Sequence, residues 1–384
     1  MNRALLKSAE TRLRDAALHL LDRCRHSFRA RRLTGRYLLV ALVPFHVAGV
    51  AQAQSTSQLR VADYRAYLPE THSVRQALNS LSMLVNERSS TALQVKVLSG
   101  TVPGNPSQQI NALQAGEAQT PEIMLVAATG LAELDDSFSL FDLPYALRNS
   151  AEVDALIDGS KGEALFKRLE AHGLVGLAWM ENGFRVLTTS DQDLVSLQDF
   201  HGLKLRSLPV ATSVETFKAW GAMPVAIPVS QVREALLSKK IVAQESFITS
   251  VQQNKLYEVQ NKLWLTNHSY GAQVLVINAK AWSALSTLQQ DVLNKAAQQV
   301  ASQQRIAARK EDAQVLETLK SQGMQIHMVS HELVQKLSDA TKNMRENALT
   351  DTGLKPRATG CLKGGLCSSA LPILALTTVS YSLQ

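Results

Sequence analysis

The sequence predicts a two-domain α/β protein. Its 384 residues exceed what a single hydrophobic core usually holds, so length favours two domains. Strand-like and helix-like segments alternate in two successive blocks, which is typical of sheets flanked by helices. Residues 285–322 contain neither Pro nor Gly, which predicts a helix of roughly 55 Å that crosses from one domain to the other. Two helices with a break near Ser302 are the alternative.

The first block of elements follows from the spacing of its apolar residues. A helix is predicted over 72–87 because apolar side chains from Val74 to Val85 recur every three or four positions. Residues 93–98 alternate as a half-buried strand does, and 123–127 form a short apolar run typical of a buried strand. The block is completed by a strand at 59–61, a turn-rich break at 100–107 and a helix at 108–118.

The second block repeats this order without a recurring sequence unit of 20–50 residues, so a solenoid is not expected. Short apolar runs predict the strands, and helical spacing of apolar residues predicts the helices. Strands are predicted at 184–188, 203–206, 224–227, 241–243 and 273–278, and helices at 213–220 and 229–238.

The net charge of +7 comes entirely from the N-terminal 53 residues, which hold ten Lys or Arg and three acids. The rest of the chain is balanced, so its charge gives no reason to expect a nucleic-acid partner. A basic run ending at Arg36 precedes an uncharged apolar stretch and then Ala51-Gln52-Ala53, the order of a secretory signal and its cleavage site. We therefore expect residues 1–53 to be a signal peptide. A membrane anchor is the alternative, although the apolar stretch is short for a span.

The chemistry of the remaining chain is restricted. Residues 54–360 contain no cysteine, and the sequence lacks the phosphate-loop, dinucleotide, hydrolase-elbow and zinc-protease motifs. No cofactor and no metal are expected. One functional hypothesis that these residues leave open is an exported enzyme, in which the carboxyl group of Glu181 or Glu245 works with the imidazole of His268. Residues 351–384 form an atypical tail. Its cysteines Cys361 and Cys367 are close enough in sequence for a small disulfide loop. A shifted reading frame or a fused segment is the alternative origin of this tail.

Two arginines interrupt apolar strand-like runs. Arg185 follows Phe184, and Arg206 ends the run that begins at Leu203. The planar guanidinium matches a carboxylate with two parallel hydrogen bonds, so an arginine at a strand end is a natural anchor for an organic acid. A solvated surface arginine or an internal ion pair is the alternative.

Several segments together resemble the solute receptors of TRAP (tripartite ATP-independent periplasmic) transporters, of the C4-dicarboxylate-receptor-like family. The likeness runs from about residue 59 to 344 and depends on the joint order and spacing of short motifs. These are LPETH at 68–72, FDLPY at 141–145, ENGFR at 181–185, DFHGLKLR at 199–206, LYEVQ at 256–260, TNHS at 266–269 and NAKAW at 278–282.

The resemblance implies a two-domain periplasmic binding protein with mixed sheets, a central cleft and a long helix bridging both domains. The domains would comprise residues 54–182 with 272–311, and 183–271 with 312–350. Such a receptor captures a small organic acid, a carboxylate or dicarboxylate, without catalysis and delivers it to TRAP-type membrane permease subunits. We expect a periplasmic monomer that binds no nucleic acid. A receptor that feeds a sensor protein is the alternative.

The resemblance also suggests the ligand-binding residues. The arginine matching Arg206 clamps the ligand carboxylate, and the one matching Arg185 assists. A third cleft segment reads Gln244-Glu245-Ser246-Phe247, where the family often has Asn and Pro at the last two positions. This departure favours a bulkier or less polar acid than a C4-dicarboxylate. The predicted ligand-binding residues are Arg206, Arg185, Ser246, Gln244, Glu245, Phe247, Phe184 and Trp220.

Overall fold

The computed structural model describes residues 57–65, 68–88, 92–99 and 106–351. The predicted signal peptide lies outside the described residues, as does the tail beyond residue 351 with its two cysteines.

The described chain contains alternating strands and helices. The strands are β1 Ser57–Asp63, β2 Leu93–Val97, β3 Ile123–Ala127, β4 Leu174–Thr189, β5 Lys204–Ser207, β6 Met223–Ala226, β7 Ala243–Phe247, β8 Lys262–Leu265, β9 Tyr270–Asn278 and β10 Gln325–Met328. The α-helices are α1 Ser73–Glu87, α2 Pro106–Ala115, α3 Ala128–Leu131, α4 Ser150–Ile157, α5 Ser160–Glu170, α6 Ala211–Ala219, α7 Val232–Leu237, α8 Ile248–Gln253, α9 Ala279–Ser283, α10 Thr287–Ser321, α11 His331–Ala340 and α12 Lys342–Asp351.

The strands form two mixed arrays that share β4. Strands β2, β1 and β3 are parallel, and β9 joins them antiparallel to both β3 and β4. In the second array, β5 lies parallel to β6 and β7, while β7 and β8 pair antiparallel with the end of β4. Strand β10 completes this array beside β8. The predicted α/β class with mixed sheets is confirmed.

Strand β4 changes partners in its middle. Up to Phe184 it pairs with β9, and from Arg185 onward with β7. The pairing slips between Glu181 and Phe184, and Gly183 there has φ +83°, a conformation that favours glycine. The sequence at this point therefore allows one strand to leave the first array and enter the second.

Helix α10 contributes to the cores of both arrays, which confirms the predicted bridging helix. Its 35 residues correspond to about 52 Å, and no break occurs at Ser302. Residues from Leu293 to Ala301 pack in the core of the first array, whereas Val315 and Leu319 pack in a core of the second. Among the described helices, none combines the length and the hydropathy that a bilayer span requires.

The middle of α10 is polar because it crosses the point where β4 changes partners. Gln304 donates to the backbone oxygen of Glu181 at 2.8 Å and accepts from its N–H at 2.9 Å. Arg309 donates to both carboxylate oxygens of Glu181, at 3.0 and 2.8 Å, and also to both oxygens of Asp154 on α4. These bonds fix the helix to the crossover. They also explain why polar residues interrupt the apolar spacing of residues 285–322 at this point.

Most predicted elements are confirmed, with differences at their ends. Strand β4 begins ten residues before the predicted start at 184, and β7 covers 243–247 rather than 241–243. The predicted helix at 108–118 is α2, which begins and ends earlier. The predicted helix at 229–238 is a 3-10 turn over Val229–Gln231 followed by α7.

Candidate functional site

Two arginines converge on one carboxylate near the ends of β5 and β7. Arg185 donates from Nε to Oε2 of Glu245. Arg206 donates from Nη1 to Oε1 of the same side chain at 3.3 Å, and the N–H of Leu208 donates to that oxygen at 3.0 Å. Both arginines and the glutamate are buried. Glu245 therefore offsets one of the two positive charges of guanidinium groups that water barely reaches.

The two arginines differ in how many of their donors are used. Arg206 is anchored to the fold, because its Nε donates to the oxygen of Ile227 at 3.0 Å and its Nη1 to the oxygen of Glu245 at 2.9 Å. Among the described residues, Arg185 has a side-chain hydrogen bond only from Nε. Its terminal nitrogens therefore keep up to four N–H donors for another acceptor.

An aromatic ring supports the guanidinium of Arg185. Cζ of Arg185 lies 4.2 Å from the ring centroid of Phe247, a distance at which a cation is attracted to the ring face. The two residues are directly opposite each other on β4 and β7. The Phe247 ring also lies against Gly271, where an added Cβ would be 2.3 Å from the ring. Gly271 is thus required for this ring position.

The Arg185 side chain lines a small cavity between elements of both arrays. Its walls combine a carboxylate, hydroxyls and rings, contributed by Asp142, Arg185, Leu208, Ser213, Thr216, Phe217, His268 and Ser269. Asp142 follows the 3-10 turn Asp136–Phe141 and accepts from the Thr129 hydroxyl of α3 at 2.9 Å. The volume is about 10 Å³, enough for about one water molecule.

Burial governs the ionisation of the groups around this cavity. Burial lowers the pKa of Arg206 to about 10, although Glu245 opposes the shift, so Arg206 stays charged at neutral pH. It lowers the pKa of His268 to about 4, which keeps the imidazole neutral. It raises the pKa of Asp142 to about 6, against the opposing charge of Arg185. The site therefore becomes more positive as the pH falls through about 6.

The structure brings four of the eight predicted residues together, namely Arg185, Arg206, Glu245 and Phe247. Gln244 directly precedes Glu245 on β7, and its side-chain amide donates to the Thr188 hydroxyl at 2.6 Å. Ser246 pairs across the strands with Val186. Since side chains alternate along a strand, both lie on the face of β7 opposite Glu245 and Phe247.

The two remaining predicted residues pack among aromatic rings. Trp220 is fully buried, its indole N–H donates to the oxygen of Leu337 at 2.9 Å, and its ring lies 5.6 Å from that of His268. It thus lies behind the cavity wall rather than on it. Phe184 packs edge-on against Tyr270, with ring centroids 5.1 Å apart.

Sequence reasoning missed Asp142 and treated His268 only as a catalytic alternative. Both lie within motifs that carry the family resemblance, but a single Asp or His has no spacing that marks it. The enzyme hypothesis paired His268 with either Glu245 or Glu181. The structure instead engages Glu181 with Arg309 and with the Tyr270 hydroxyl, 2.5 Å from Oε2. No group of three potential metal ligands occurs among the residues described.

The two arrays share a strand and enclose a cavity between them, and a buried pair of arginines lies beside this cavity. Such an arrangement is that of a two-lobed binding protein for small solutes. The chain belongs to the bacterial extracellular solute-binding protein family 7, whose model matches residues 65–351. The resemblance to TRAP receptors is thereby confirmed.

Individual relatives agree with this assignment. The chain is 31% identical over 282 residues to the 2,3-diketo-L-gulonate-binding periplasmic protein of Escherichia coli, covering 73% of this chain and 85% of that protein. It superposes with a TM-score of 0.72 and 31% identity on a TRAP periplasmic solute-binding protein from Ochrobactrum anthropi, covering 78% of this chain and 92% of the other. The sugar acid-binding protein of Advenella mimigardefordensis in complex with galactonate gives a TM-score of 0.70 and 30% identity, with 78% and 95% covered.

Proposed function

We propose that this protein is a periplasmic receptor that captures a small organic acid by cleft closure and delivers it to a TRAP-type membrane permease. The observation that carries the proposal is the state of Arg185. This arginine is buried and supported by Phe247, yet its terminal nitrogens have no hydrogen bond to any described residue. A carboxylate is the acceptor that matches such a planar pair of donors.

Arg206 and Glu245 hold this donor in position. Glu245 orients Arg185 through Nε, and Arg206 is fixed by two backbone oxygens. A ligand carboxylate then meets the terminal nitrogens of Arg185, which lines the cavity and cannot move away. Each charge-assisted hydrogen bond contributes about 1.5–3 kcal/mol net, whereas micromolar affinity requires about 8 kcal/mol. Burial of the ligand on closure must supply the rest.

Cleft opening is required because the cavity is too small for an organic acid. A volume of about 10 Å³ holds about one water molecule. We assign the moving lobes to residues 54–182 with 272–311 and to 183–271 with 312–350. The change of partners along β4 at Gly183 supports this division, since the strand leaves one array and enters the other there.

The relatives support an acid as the ligand. The Escherichia coli protein is named for 2,3-diketo-L-gulonate, the Advenella protein was solved with galactonate, and a relative in Rhodobacter capsulatus, 26% identical, is named for C4-dicarboxylates. All three ligands carry a carboxylate. Export by a signal within residues 1–53, a monomeric state, the absence of catalysis and transfer to a permease complete the proposal.

Calorimetric titration with galactonate, succinate and neutral galactose tests the proposal. We expect at least one acid to bind with micromolar affinity and the neutral sugar to give no signal. The Arg185→Gln variant should weaken acid binding at least a hundredfold, because it removes the charge and the forked donors. Arg206→Lys is a second variant that keeps the charge but loses the geometry.

Arg60→Gln is the matched control for the arginine variants. Arg60 also pairs with a glutamate, Glu122, and donates to backbone oxygens, yet it lies outside the cavity. Its variant should bind as the unmodified protein does. If neither acid binds, or if Arg185→Gln binds with unchanged affinity, the proposed function is wrong.

A further inference from the structure

Asp142 is the one acidic side chain among the described residues that line the cavity, and it faces the same space as Arg185. One of its oxygens, Oδ1, accepts from the Thr129 hydroxyl at 2.9 Å. The other oxygen, Oδ2, accepts no hydrogen bond from a described residue. The cavity therefore offers a strong acceptor a short distance from the strong donors of Arg185.

The setting of Asp142 fixes the carboxylate in place. The residue follows directly on the buried Phe141, and its own N–H donates to the oxygen of Ser139 at 2.9 Å. With backbone and Oδ1 both held, Oδ2 cannot turn toward a new protein donor without breaking the bond to Thr129. Its unused lone pairs are available to a donor from the ligand.

A carboxylate at this place favours one class of acid over another. A ligand hydroxyl donates to an ionised carboxylate and forms a charge-assisted hydrogen bond. A second ligand carboxylate in the same place is repelled, since two like charges come close in a poorly hydrated cavity. Ser213, Thr216 and Ser269 supply further hydroxyls on the walls.

We propose that Asp142 is the specificity-determining residue of the site, and that it selects hydroxy acids, with the ligand carboxylate on the arginines and a ligand hydroxyl on Oδ2. This inference rests on the proposed function, because it takes the arginine–carboxylate contact as given. The expectation drawn from Ser246 and Phe247 was a bulkier or less polar acid than a C4-dicarboxylate. A hydroxy acid such as galactonate fits its bulkier alternative, and the polar cavity wall supports a hydroxylated ligand.

Three probes separate the contributions of carboxylate, hydroxyl and second charge. Galactonate has one carboxylate, and each of its remaining carbons carries a hydroxyl. Hexanoate has the same length and carboxylate without hydroxyls, and succinate has a second carboxylate. The purified protein should bind galactonate at least tenfold more tightly than either of the others, measured by calorimetry at pH 7.5, where Asp142 is ionised.

The Asp142→Asn variant tests the role of the charged acceptor. We expect its galactonate affinity to fall about ten- to hundredfold, the contribution of a hydrogen bond to a charged group. Succinate affinity should stay the same or rise, so the ratio between the two acids narrows. Thr129→Val only releases Oδ1 of Asp142, so it should narrow the ratio of galactonate to succinate affinity less. It is the substitute measurement if Asp142→Asn folds poorly. Asp136→Asn, on an exposed residue of the neighbouring 3-10 turn, should change nothing.

The outcomes distinguish this inference from the proposed function. If Asp142→Asn keeps the full galactonate-to-succinate ratio while Arg185→Gln abolishes binding, the selectivity role is wrong and the receptor function stands. If succinate binds the unmodified protein more tightly than galactonate, the selectivity role is wrong as well. If no acid binds any variant, both fail.

Discussion

Replacing Glu245 by Gln removes a buried negative charge from between two buried arginines with little change of shape. Arg206 is 2% exposed and Arg185 6%, so neither guanidinium can recover its hydration. Removing one partner of a buried ion pair usually costs about 3–5 kcal/mol. Gln retains an oxygen that can accept from the N–H of Leu208, so we expect about 3 kcal/mol. That is a large part of the 5–15 kcal/mol that typically separates folded from unfolded protein.

Urea unfolding of both proteins across a pH series measures this cost. Burial alone would raise the pKa of Glu245, but the charges of Arg185 and Arg206 outweigh it and hold the pKa below its ordinary value. A lowered folded-state pKa means that the stabilisation is present above the ordinary carboxyl pKa, about 4.3, and is lost as the pH falls through the lower folded-state value. The two free energies of unfolding should differ most at neutral pH and converge in acid.

Ligand binding provides an independent test of the stabilisation by the negative charge of Glu245. A bound galactonate carboxylate should replace part of the missing negative charge, so the stability gap at pH 7.5 should narrow at saturating ligand. Glu122→Gln is the control, because its partner Arg60 is 30% exposed as a side chain and such pairs contribute about 1 kcal/mol or less. A Glu245→Gln cost equal to that of the control, or one that does not vary with pH, would refute the reasoning.

Three further substitutions test the framework around the site. Gly271→Ala places a methyl group 2.3 Å from the Phe247 ring, so it should displace the ring and weaken galactonate binding about tenfold in calorimetry, with a smaller effect on melting temperature. Gly183→Ala combines a left-handed backbone with a contact of 2.5 Å to Asp312 and should lower the free energy of unfolding in urea by about 1–2 kcal/mol. Trp220→Phe leaves a buried oxygen without its donor and a small cavity, which should cost about 1–3 kcal/mol in the same assay. An unchanged stability in the last two variants would contradict these contacts.

Local sequence patterns predicted elements from helical spacing, alternation or a short apolar run, although the helices α5 and α11, which bury one face, were missed. Helix α1 follows from the apolar spacing within 72–87, and its start is marked by His72, which accepts from the N–H of Val74. The first ten residues of β4 were missed because nearly all of them are buried, so no alternation is present. The Asn-Gly pair inside β4 reads as a turn, although here it marks the change of pairing partner.

The arginines of the candidate site were predictable because each is a charged residue that breaks an apolar run. Arg185 and Arg206 stand out for that reason, and the structure joins them through Glu245. Asp142 could not be found in the same way, since a single acid after a hydrophobic residue is common at loops. Its position depends on a tertiary contact with Thr129, thirteen residues away, which no local pattern encodes.

The sharing of β4 also affects how the molecule unfolds. Each array uses a different part of the same 16-residue strand, the first beside β9 and the second between β7 and β8, and α10 is packed into a core of each. Loss of either array would leave part of β4 without its partner strands and an apolar stretch of α10 uncovered. Cooperative units of folding are set by such shared elements. We therefore expect the two arrays to melt as one unit, in a single transition.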